Sequence, residues 1–362
     1  MTGFVERVLR DIASKKVLSI NSWCDFQFNE VMKRIRDSES ITTIRIESDD
    51  LYQRTRIRTE EEIALLFETL GTLPNLKILV LSYVVYSTSD VEYFERYLRA
   101  IPSPLSKLRT IGTGEIPPST FRALASVPTM TTLRVKCRQE IDGKSYIDGE
   151  SMVRDLILNN STLKIIEFHG DCYNREMCDA LADLLRLNTT LETLHLPRIY
   201  SQDRGPAIEA LLNSLKNNSK LKSLKLEGNP LHADTLCNTL ADVLGVNSTL
   251  QEFAMPRCKD VPTRPALQAL VNTMKNSNHS LQKLSMHYEG CLDDRDYHEL
   301  MWYIEINGRG GRRLKAENRA KSGPDPKLIL ARGIRKYHLD WLYYVLRECP
   351  ELCKSRENAV PC

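Results

Sequence analysis

One motif recurs along the chain and limits how the chain can fold. It is clearest at Leu221-Lys-Ser-Leu224-Lys-Leu226-Glu-Gly-Asn229-Pro-Leu231, which fits the template L-x-x-L-x-L-x-x-N-x-L. Diverged copies lie on both sides of it, and most of them begin roughly thirty positions apart. Such a period is typical of an array in which each unit buries its apolar face only against its neighbours. The first apolar positions of the copies are Ile41, Leu76, Leu108, Met130, Leu163, Leu191, Leu221, Leu250 and Leu281.

Each unit has the pattern of a short strand, a loop and a helix. Strand side chains alternate, so the two later apolar residues of L-x-x-L-x-L point into the core and the residues beside them face out. Between the strands, apolar residues four apart form one buried helical stripe. The strand pairs are Leu79/Leu81, Leu194/Leu196 and Leu224/Leu226, and the helix pairs are Leu181/Leu185, Leu211/Leu215, Leu240/Leu244 and Leu270/Met274. We predict an α/β solenoid, wound as a right-handed horseshoe with a parallel sheet on its concave face and helices on its convex face.

An asparagine follows each of five predicted helices, three residues before the first apolar residue of the next strand. These residues are Asn160, Asn188, Asn218, Asn247 and Asn278. Asn tolerates the left-handed conformation that closes a helix, so we predict a role in the backbone turn. Four of them, all but the third, also match the glycosylation sequon. Because the residues after Met1 lack the unbroken apolar segment of a secretory signal, we favour the turn role and expect an intracellular protein.

Regions of different composition flank the array. Residues 1–38 are predicted to be an N-terminal cap or an atypical first repeat, with a strand at Val17–Ile20 and an amphipathic stretch at about 25–36. Residues 39–292 are the array of about nine units, and residues 293–362 are predicted to form a helical C-terminal cap. A basic loop at 307–336 contains ten Lys or Arg and two acids, whereas the whole chain has a net charge of only +3.

The units from Leu163 to Met286 resemble the leucine-rich repeats of the ribonuclease-inhibitor-like class. The resemblance rests on their even spacing and on stretches such as Leu191-Glu-Thr-Leu-His-Leu. The segment that begins Asn307-Gly-Arg-Gly-Gly-Arg-Arg, with the helices on either side of it, resembles the tail of uncharacterised algal proteins of this class. What the resemblance implies is a horseshoe that binds macromolecules with its inner face, and it does not select the ligand.

The candidate binding surface consists of outward residues on the predicted strands. Any single one is better explained as a solvated strand residue, but a parallel sheet exposed on one face is unusual and offers a place for a partner. Both charge signs are interspersed among these residues, unlike the clustered cations of a face that tracks phosphates, so we expect a protein partner rather than nucleic acid. The candidate residues are Arg45, Glu47, Arg134, Lys136, Glu167, His169, His195, Lys225, Glu227, Glu252, Lys283 and His287.

A second candidate surface lies in the basic loop, at Arg309, Arg312, Arg313 and Lys315. Such a run can bind RNA or acidic lipid, or act as a nuclear address. Aromatic residues do not alternate with the cations, so the stacking platform of single-strand binders is missing. We favour a solvated loop, with polyanion binding as the alternative.

No motif of an enzyme or a metal site is present in the sequence. The seven histidines belong to no nucleophile elbow or zinc pattern, and the ten cysteines include no C-x-x-C pair. His169 and His195 lie in neighbouring units and could approach as a catalytic pair, although exposed strand histidines are the favoured interpretation. Cys258 stands eight positions after Leu250, as Asn229 does after Leu221, so we predict that it fills the same place inside the turn.

These patterns predict a non-enzymatic interaction module without cofactor or metal. We expect it to be monomeric alone and cytoplasmic, with the nucleus as the alternative. No apolar run is long enough to cross a bilayer. Two other functions stay open, namely nucleic-acid binding through the basic loop and an accessory role in GTP hydrolysis resembling the Ran GTPase activator. That relative has a long acidic tail, whereas this chain ends in a basic segment and an aromatic helix.

Overall fold

The described part of the chain forms one sheet, with helices packed beside one another in two groups. A computed structural model describes residues 17–20, 28–46, 59–82, 88–100, 107–112, 118–137, 160–169, 175–196, 204–226, 231–254, 258, 260–285 and 295–308. Within these ranges, strands and helices alternate along the chain, except that the strand at Thr132–Cys137 is followed by the strand at Ile165–His169 and residues 138–159 lie outside the described ranges. This alternation is what the period-two and helical apolar patterns of each unit predict.

The described strands form a single parallel sheet of ten strands, and their order in the sheet is their order in the sequence. The strands are β1 (Val17–Ile20), β2 (Thr43–Ile46), β3 (Ile78–Ser82), β4 (Lys107–Gly112), β5 (Thr132–Cys137), β6 (Ile165–His169), β7 (Thr193–His195), β8 (Ser223–Lys225), β9 (Glu252–Ala254) and β10 (Lys283–Ser285). Each unit thus adds one strand beside the previous one, as stacking of repeats requires. The predicted leucine-rich repeat solenoid of α/β class is confirmed.

The described helices lie between the strands in sequence and pack side by side. They are α1 (Phe28–Arg36), α2 (Glu60–Gly71), α3 (Thr88–Ala100), α4 (Pro118–Ala125), α5 (Arg175–Leu187), α6 (Arg204–Ser214), α7 (Ala233–Val246), α8 (Arg264–Asn276) and α9 (Arg295–Gly308). Each neighbouring pair among α1–α4 and among α5–α9 is in contact. The strand predicted at 17–20 is β1, which pairs with β2, and α9 packs on α8 and β10. The predicted domain boundaries at 38 and 292 stay predictions.

The core lies between the sheet and the helices. The predicted inward strand pairs and helix stripes are all buried there, and Leu194, Leu224 and Leu240 have no exposed surface. Burying one such side chain contributes about 1.5–3 kcal/mol, so the repeated leucines are the main stabilising contribution of each unit. A tilted aromatic cluster of Phe67 and Phe94, with ring centroids 5.4 Å apart, fills the same layer between α2 and α3.

The strand register corrects the repeat phase in one unit. Leu108 pairs with Leu79 on one side and Leu133 on the other. It therefore occupies the second apolar position of its unit, not the first as predicted. Counting back by the template places the start of this unit at Leu105, so the intervals on its two sides are more nearly equal than predicted. The short α4 fits the compressed spacing that remains before Met130.

The recurring asparagines form a ladder that links neighbouring repeats. In Asn247, the side-chain oxygen accepts the main-chain N–H groups of Thr249 (3.0 Å) and Leu250 (2.9 Å). Its amide nitrogen donates to the carbonyls of Leu215 (2.8 Å) and Asn218 (2.9 Å) in the preceding repeat. Equivalent bonds to the preceding repeat are made by Asn160, Asn218, Asn278 and Asn307.

This geometry gives the recurring asparagines a different role from the predicted one. Asn247 has φ −82° and ψ 120°, an extended conformation, so the predicted left-handed turn is wrong at this position. Asn is required instead because one side chain must accept and donate at a buried helix-to-strand turn. The sequon residues Asn160, Asn247 and Asn278 are 4%, 4% and 1% exposed, and their amide nitrogens are bonded to main-chain carbonyls. A nitrogen held in this way is not available to a sugar in the folded chain.

Cys258 does not take the place of Asn229. It forms an isolated parallel bridge with Leu231, the last apolar residue of the template, and is only half-buried. Phe253 pairs with Leu224, and Cys258 pairs with Leu231. Cys258 is five positions after Phe253, whereas Leu231 is seven positions after Leu224, so the loop after β9 is shorter than the loop after β8. The prediction counted from the start of the unit and missed this deletion.

Candidate functional site

The candidate site is the sheet face that carries the outward strand residues, called here the inner face. Each strand enters the sheet with its inward residues fixed by the core, so its alternate residues must lie on the opposite face. Arg45 on β2, Arg134 on β5 and Lys283 on β10 are exposed there. Glu167, His195, Lys225 and Glu252 are half-buried on the same face.

The strand register arranges these residues in rows across the sheet. One row runs through Arg134 on β5, Glu167 on β6, His195 on β7 and Lys225 on β8, each in register with the next. Glu252 and Lys283 are paired in a second row. Lys136 and His169 are paired in a third. Neighbours in a parallel sheet are about 4.8 Å apart, so charges on adjacent strands interact directly.

Two ion pairs cross the inner face. Arg134 holds Glu167 with two contacts, Nε to Oε2 at 2.6 Å and Nη2 to Oε1 at 3.1 Å. Lys225 lies 3.5 Å from Glu252, whose other oxygen accepts the Ser223 hydroxyl at 3.0 Å. The bidentate arginine fork is the stronger arrangement, because both N–H groups are aligned on one carboxylate.

The register places the two histidines of neighbouring units in different rows. His195 is in register with Glu167, whereas His169 is in register with Lys136, two positions further along β6. The catalytic pair stays a prediction. The structure brings His195 next to an acid.

Several predicted residues fall outside the described ranges. Among the inner-face candidates these are Glu47, Glu227 and His287. The whole polyanion candidate, Arg309, Arg312, Arg313 and Lys315, also lies outside them, as does most of the basic loop. Their roles stay predictions. Within the described residues, no group of three or more His, Cys, Asp and Glu is placed to hold a metal ion.

The register also reveals a feature that chain order hides. The register places Arg45 on β2, Val80 on β3, Arg109 on β4 and Arg134 on β5 in one row across the sheet. Arg45 and Arg134 are exposed. Glu167 on β6 is the next residue of this row. The grouping of these residues can be recognised in the sequence only once the strand pairing is known.

A groove along the strand starts was not predicted. It has a volume of about 710 Å³ and is lined by hydroxyls and by Lys164, Glu192, Lys220 and Lys222 at the beginnings of β6–β8. Glu192 bridges Lys222 at 2.7 Å and Lys164 at 3.6 Å. The hydrogen bond with Lys222, aided by the charges of both lysines, holds the pKa of Glu192 below its ordinary value. The charges of Lys222 and Lys164 are thus partly neutralised by Glu192, which itself lines the groove.

Comparisons with known proteins identify no family for the chain. No protein-family model matches it, and no curated protein matches it. Among solved structures, a Bacteroides fragilis protein is similar at 14% identity over 72% of this chain and 71% of its own, with a TM-score of 0.45. The leucine-rich repeat protein LegL7 of Legionella pneumophila has 12% identity over 74% and 94%, with a TM-score of 0.37. The tropomodulin C-terminal domain of Caenorhabditis elegans has 12% identity over 64% and 99%, with a TM-score of 0.30.

None of the helices in the described ranges is both long and apolar enough to span a membrane.

Proposed function

We propose that this chain is a non-enzymatic module that binds a protein partner through the inner face of its repeat array. The observation that carries the proposal is the open sheet. Parallel sheets are ordinarily covered on both faces, whereas Arg45, Arg134 and Lys283 are exposed on this one. A rigid surface with fixed charged rows gives a partner many contacts without ordering a loop, which lowers the entropic cost of binding.

The proposal includes a finer assignment to the ribonuclease-inhibitor-like class, supported by the even spacing of the units that begin at Leu163, Leu191, Leu221, Leu250 and Leu281. It also includes a monomeric state for the isolated chain and action in the cytoplasm or the nucleus. Sedimentation of the purified protein over a range of concentrations tests the monomer, since self-association would give a rising average mass.

Affinity capture from the native cell tests the inner face. The double variant Arg134→Glu/Lys136→Glu reverses two charges on β5, and the variant Lys275→Glu reverses a charge on the exposed side of α8. Bound proteins are compared by quantitative mass spectrometry. We expect a partner whose recovery drops at least fivefold with the β5 variant and is retained with the α8 variant, at an unchanged far-ultraviolet dichroism spectrum.

A result in which both variants recover every bound protein equally would exclude the inner face as the docking surface.

A further inference from the structure

The last described helix, α9, carries a buried hydrogen-bond acceptor near its end. Asn307 extends the asparagine ladder, since its amide nitrogen donates to the carbonyls of Leu281 (3.0 Å) and Asn278 (3.3 Å) in the preceding repeat. It is 4% exposed, and its side-chain oxygen has no hydrogen-bond partner among the residues that the structure describes. A buried acceptor without a donor destabilises a fold, so this oxygen requires an explanation.

The other asparagines of the ladder show which donors fit this position. The side-chain oxygens of Asn218 and Asn247 each accept the N–H groups of the residues two and three positions later. Counted from Asn307, those residues are Arg309 and Gly310, and each has a main-chain N–H to donate. The acceptor is therefore matched to the chain that directly follows α9.

An apolar stripe on α9 provides a second, independent observation. Each of α5–α8 is followed by a helix packed against it, and each buries a pair of side chains four positions apart. The pair stands ten and six positions before the ladder asparagine, or eleven and seven before Asn278 in α8. These buried pairs are Cys178/Ala182, Ile208/Leu212, Cys237/Ala241 and Leu267/Val271.

The corresponding residues of α9 are Tyr297 and Met301, and both are only half-buried. Since α8 packs against α9 and the buried residues Leu300 and Ile304 take the core-facing positions, the stripe lies on the side where a further helix would pack. Tyr297, Met301 and Asn307 are together called the end site.

Residues 309–362 lie outside the described ranges, but their sequence contains a segment that suits the end site. Within residues 338–346 the apolar side chains have the spacing of one helical face. They are Leu339, Leu342, Tyr343 and Leu346. The helix α9 has 14 residues and is about 21 Å long, a distance that the intervening residues 309–337 can easily span. Because the segment is tethered to α9, its effective concentration there is on the order of millimolar, which favours it over a separate chain.

We propose that the end site is the docking site for residues 338–346 of the same chain. The segment covers the stripe of α9 as the following helix does in the units before it, and the Asn307 oxygen accepts the N–H groups of Arg309 and Gly310. An array whose units bury their apolar faces only against neighbours needs such a cover at its last unit. The inference goes beyond the proposed function and is independent of the inner face.

Hydrogen exchange of the full chain, resolved to single residues by fragmentation, tests the proposal. Met301→Asp places a charge in the stripe, and Val246→Asp places the same charge on an exposed apolar residue of α7. Leu342→Asp makes the reciprocal change in the segment. Dichroism and thermal melting show whether each variant is folded, and Met301→Gln serves if Met301→Asp is not.

In the native chain we expect the amides of residues 338–346, and those of Arg309 and Gly310, to exchange at least about tenfold more slowly than in an unfolded chain. Met301→Asp should speed the exchange of 338–346 about tenfold, because it buries an unpaired charge under the segment. Leu342→Asp should speed the exchange of α9 to a similar extent. Val246→Asp should change either region less than about twofold.

Fast exchange of 338–346 or of Arg309 and Gly310 in the native chain would overturn the proposal. Protection that Met301→Asp leaves unchanged, that Val246→Asp removes equally, or that reaches α9 without any effect of Leu342→Asp would do the same. Sedimentation distinguishes the segment from a second copy, since twice the chain mass for the native protein and the single mass for Met301→Asp would assign the stripe to self-association. None of these results bears on partner capture by the inner face.

Discussion

At the scale of single residues, each buried asparagine must bond several main-chain groups at once. Each sits where a helix carbonyl end and a strand start both bring unpaired main-chain groups into the core, which has a low dielectric constant. One amide side chain satisfies groups in its own repeat and in the one before. A hydroxyl residue could accept but has a single donor hydrogen, and a carboxylate could only accept.

Asn218→Ala tests this role against a matched neighbour. Asn218 is 5% exposed, accepts from Lys220 and Leu221 N–H groups, and donates to the carbonyls of Leu185 and Asn188. The variant leaves these groups without partners, so we expect a loss of about 2–4 kcal/mol in a urea titration. Asn217→Ala, one position earlier and exposed, should change the stability by less than about 0.5 kcal/mol. Equal midpoints for the two variants would contradict the ladder as a source of stability.

Acid should weaken the junction between two repeats. Asp260 contacts the His232 ring at 3.0 Å and accepts the Ala233 N–H at 2.7 Å. The hydrogen bond with His232, and then the one from Ala233, hold the pKa of Asp260 below its ordinary value. A lowered pKa in the folded state stabilises the protein above the unfolded pKa of about 4 and ceases to do so as the pH falls through the folded value.

We therefore expect Asp260→Asn to be less stable than the native chain at pH 7, with the difference in urea midpoint shrinking below about pH 4. Asp242→Asn, which changes an exposed carboxylate of α7, should be close to native throughout. A pH-independent difference for Asp260→Asn would show that the carboxylate charge is irrelevant.

At the scale of elements, neighbouring helices cap each other. The N-cap residues of α7 and α8, His232 and Thr263, make no side-chain bond within their own helices. Instead Asp260, which precedes α8, accepts the first N–H of α7, and Asp234 of α7 accepts both the N–H (2.6 Å) and the hydroxyl (2.9 Å) of Thr263. The start of α7 thus obtains its acceptor from the following repeat and the start of α8 from the preceding one, which couples the two units.

Removing one of these acceptors should loosen α8 through a residue of α7. We expect Asp234→Ala to cost about 1 kcal/mol, the usual value of a helix cap, and to raise amide exchange at the start of α8. Asp242→Ala, on the same helix, should leave the exchange of α8 unchanged. Unchanged exchange in the Asp234 variant would mean that the cap comes from elsewhere.

Elements were predictable where the signal is local. The strand at 17–20 and the leucines of α5–α8 follow from alternation and from the spacing of four, because burial depends on the immediate pattern. The phase at Leu108 and the match of Cys258 depended on how one unit aligns with another, and both were wrong. Loop deletions leave no mark in the pattern of a single unit.

At the scale of the whole molecule, the ladder divides the array. The residues three before Ile41, Leu76 and Met130 are Ser38, Leu73 and Val127, whereas every unit from Leu163 onward has asparagine there. At Asn160, Asn218, Asn247 and Asn278 the later repeats therefore carry bonds across the junction that the earlier ones do not obtain from this position. In a linear array, stability is set by each unit and its interfaces, so the two halves need not open together.

Native-state hydrogen exchange should show this division. We expect amides of β7–β9 to be protected about tenfold or more over those of β2 and β3, because one additional buried hydrogen bond per junction contributes about 1 kcal/mol and several act together. Asn218→Ala should lower the protection of β7 and β8 and leave that of β2 unchanged. Uniform protection along the sheet would contradict independent opening of the halves.

The site was harder to predict than the fold because it depends on how one unit aligns with another. The inner-face residues were identified from the alternation of strand side chains, but the interspersed charge signs indicated no clustering. Arg109 and Arg134 are in register, as are Arg134 and Glu167, only because strands that are far apart in the sequence pair in the sheet. The charge pattern of a repeat surface depends on which residues of neighbouring units are in register, and the order of residues along the chain does not show this.

The order of the strands in the sheet, identical to their order in the sequence, has an evolutionary meaning. Duplication or loss of one complete unit would create or remove a junction like those already present and leave distant units untouched. Gain of complete units would lengthen the proposed docking surface one strand at a time without a change in the existing core. A few recombination events would then adapt that surface to partners of different size.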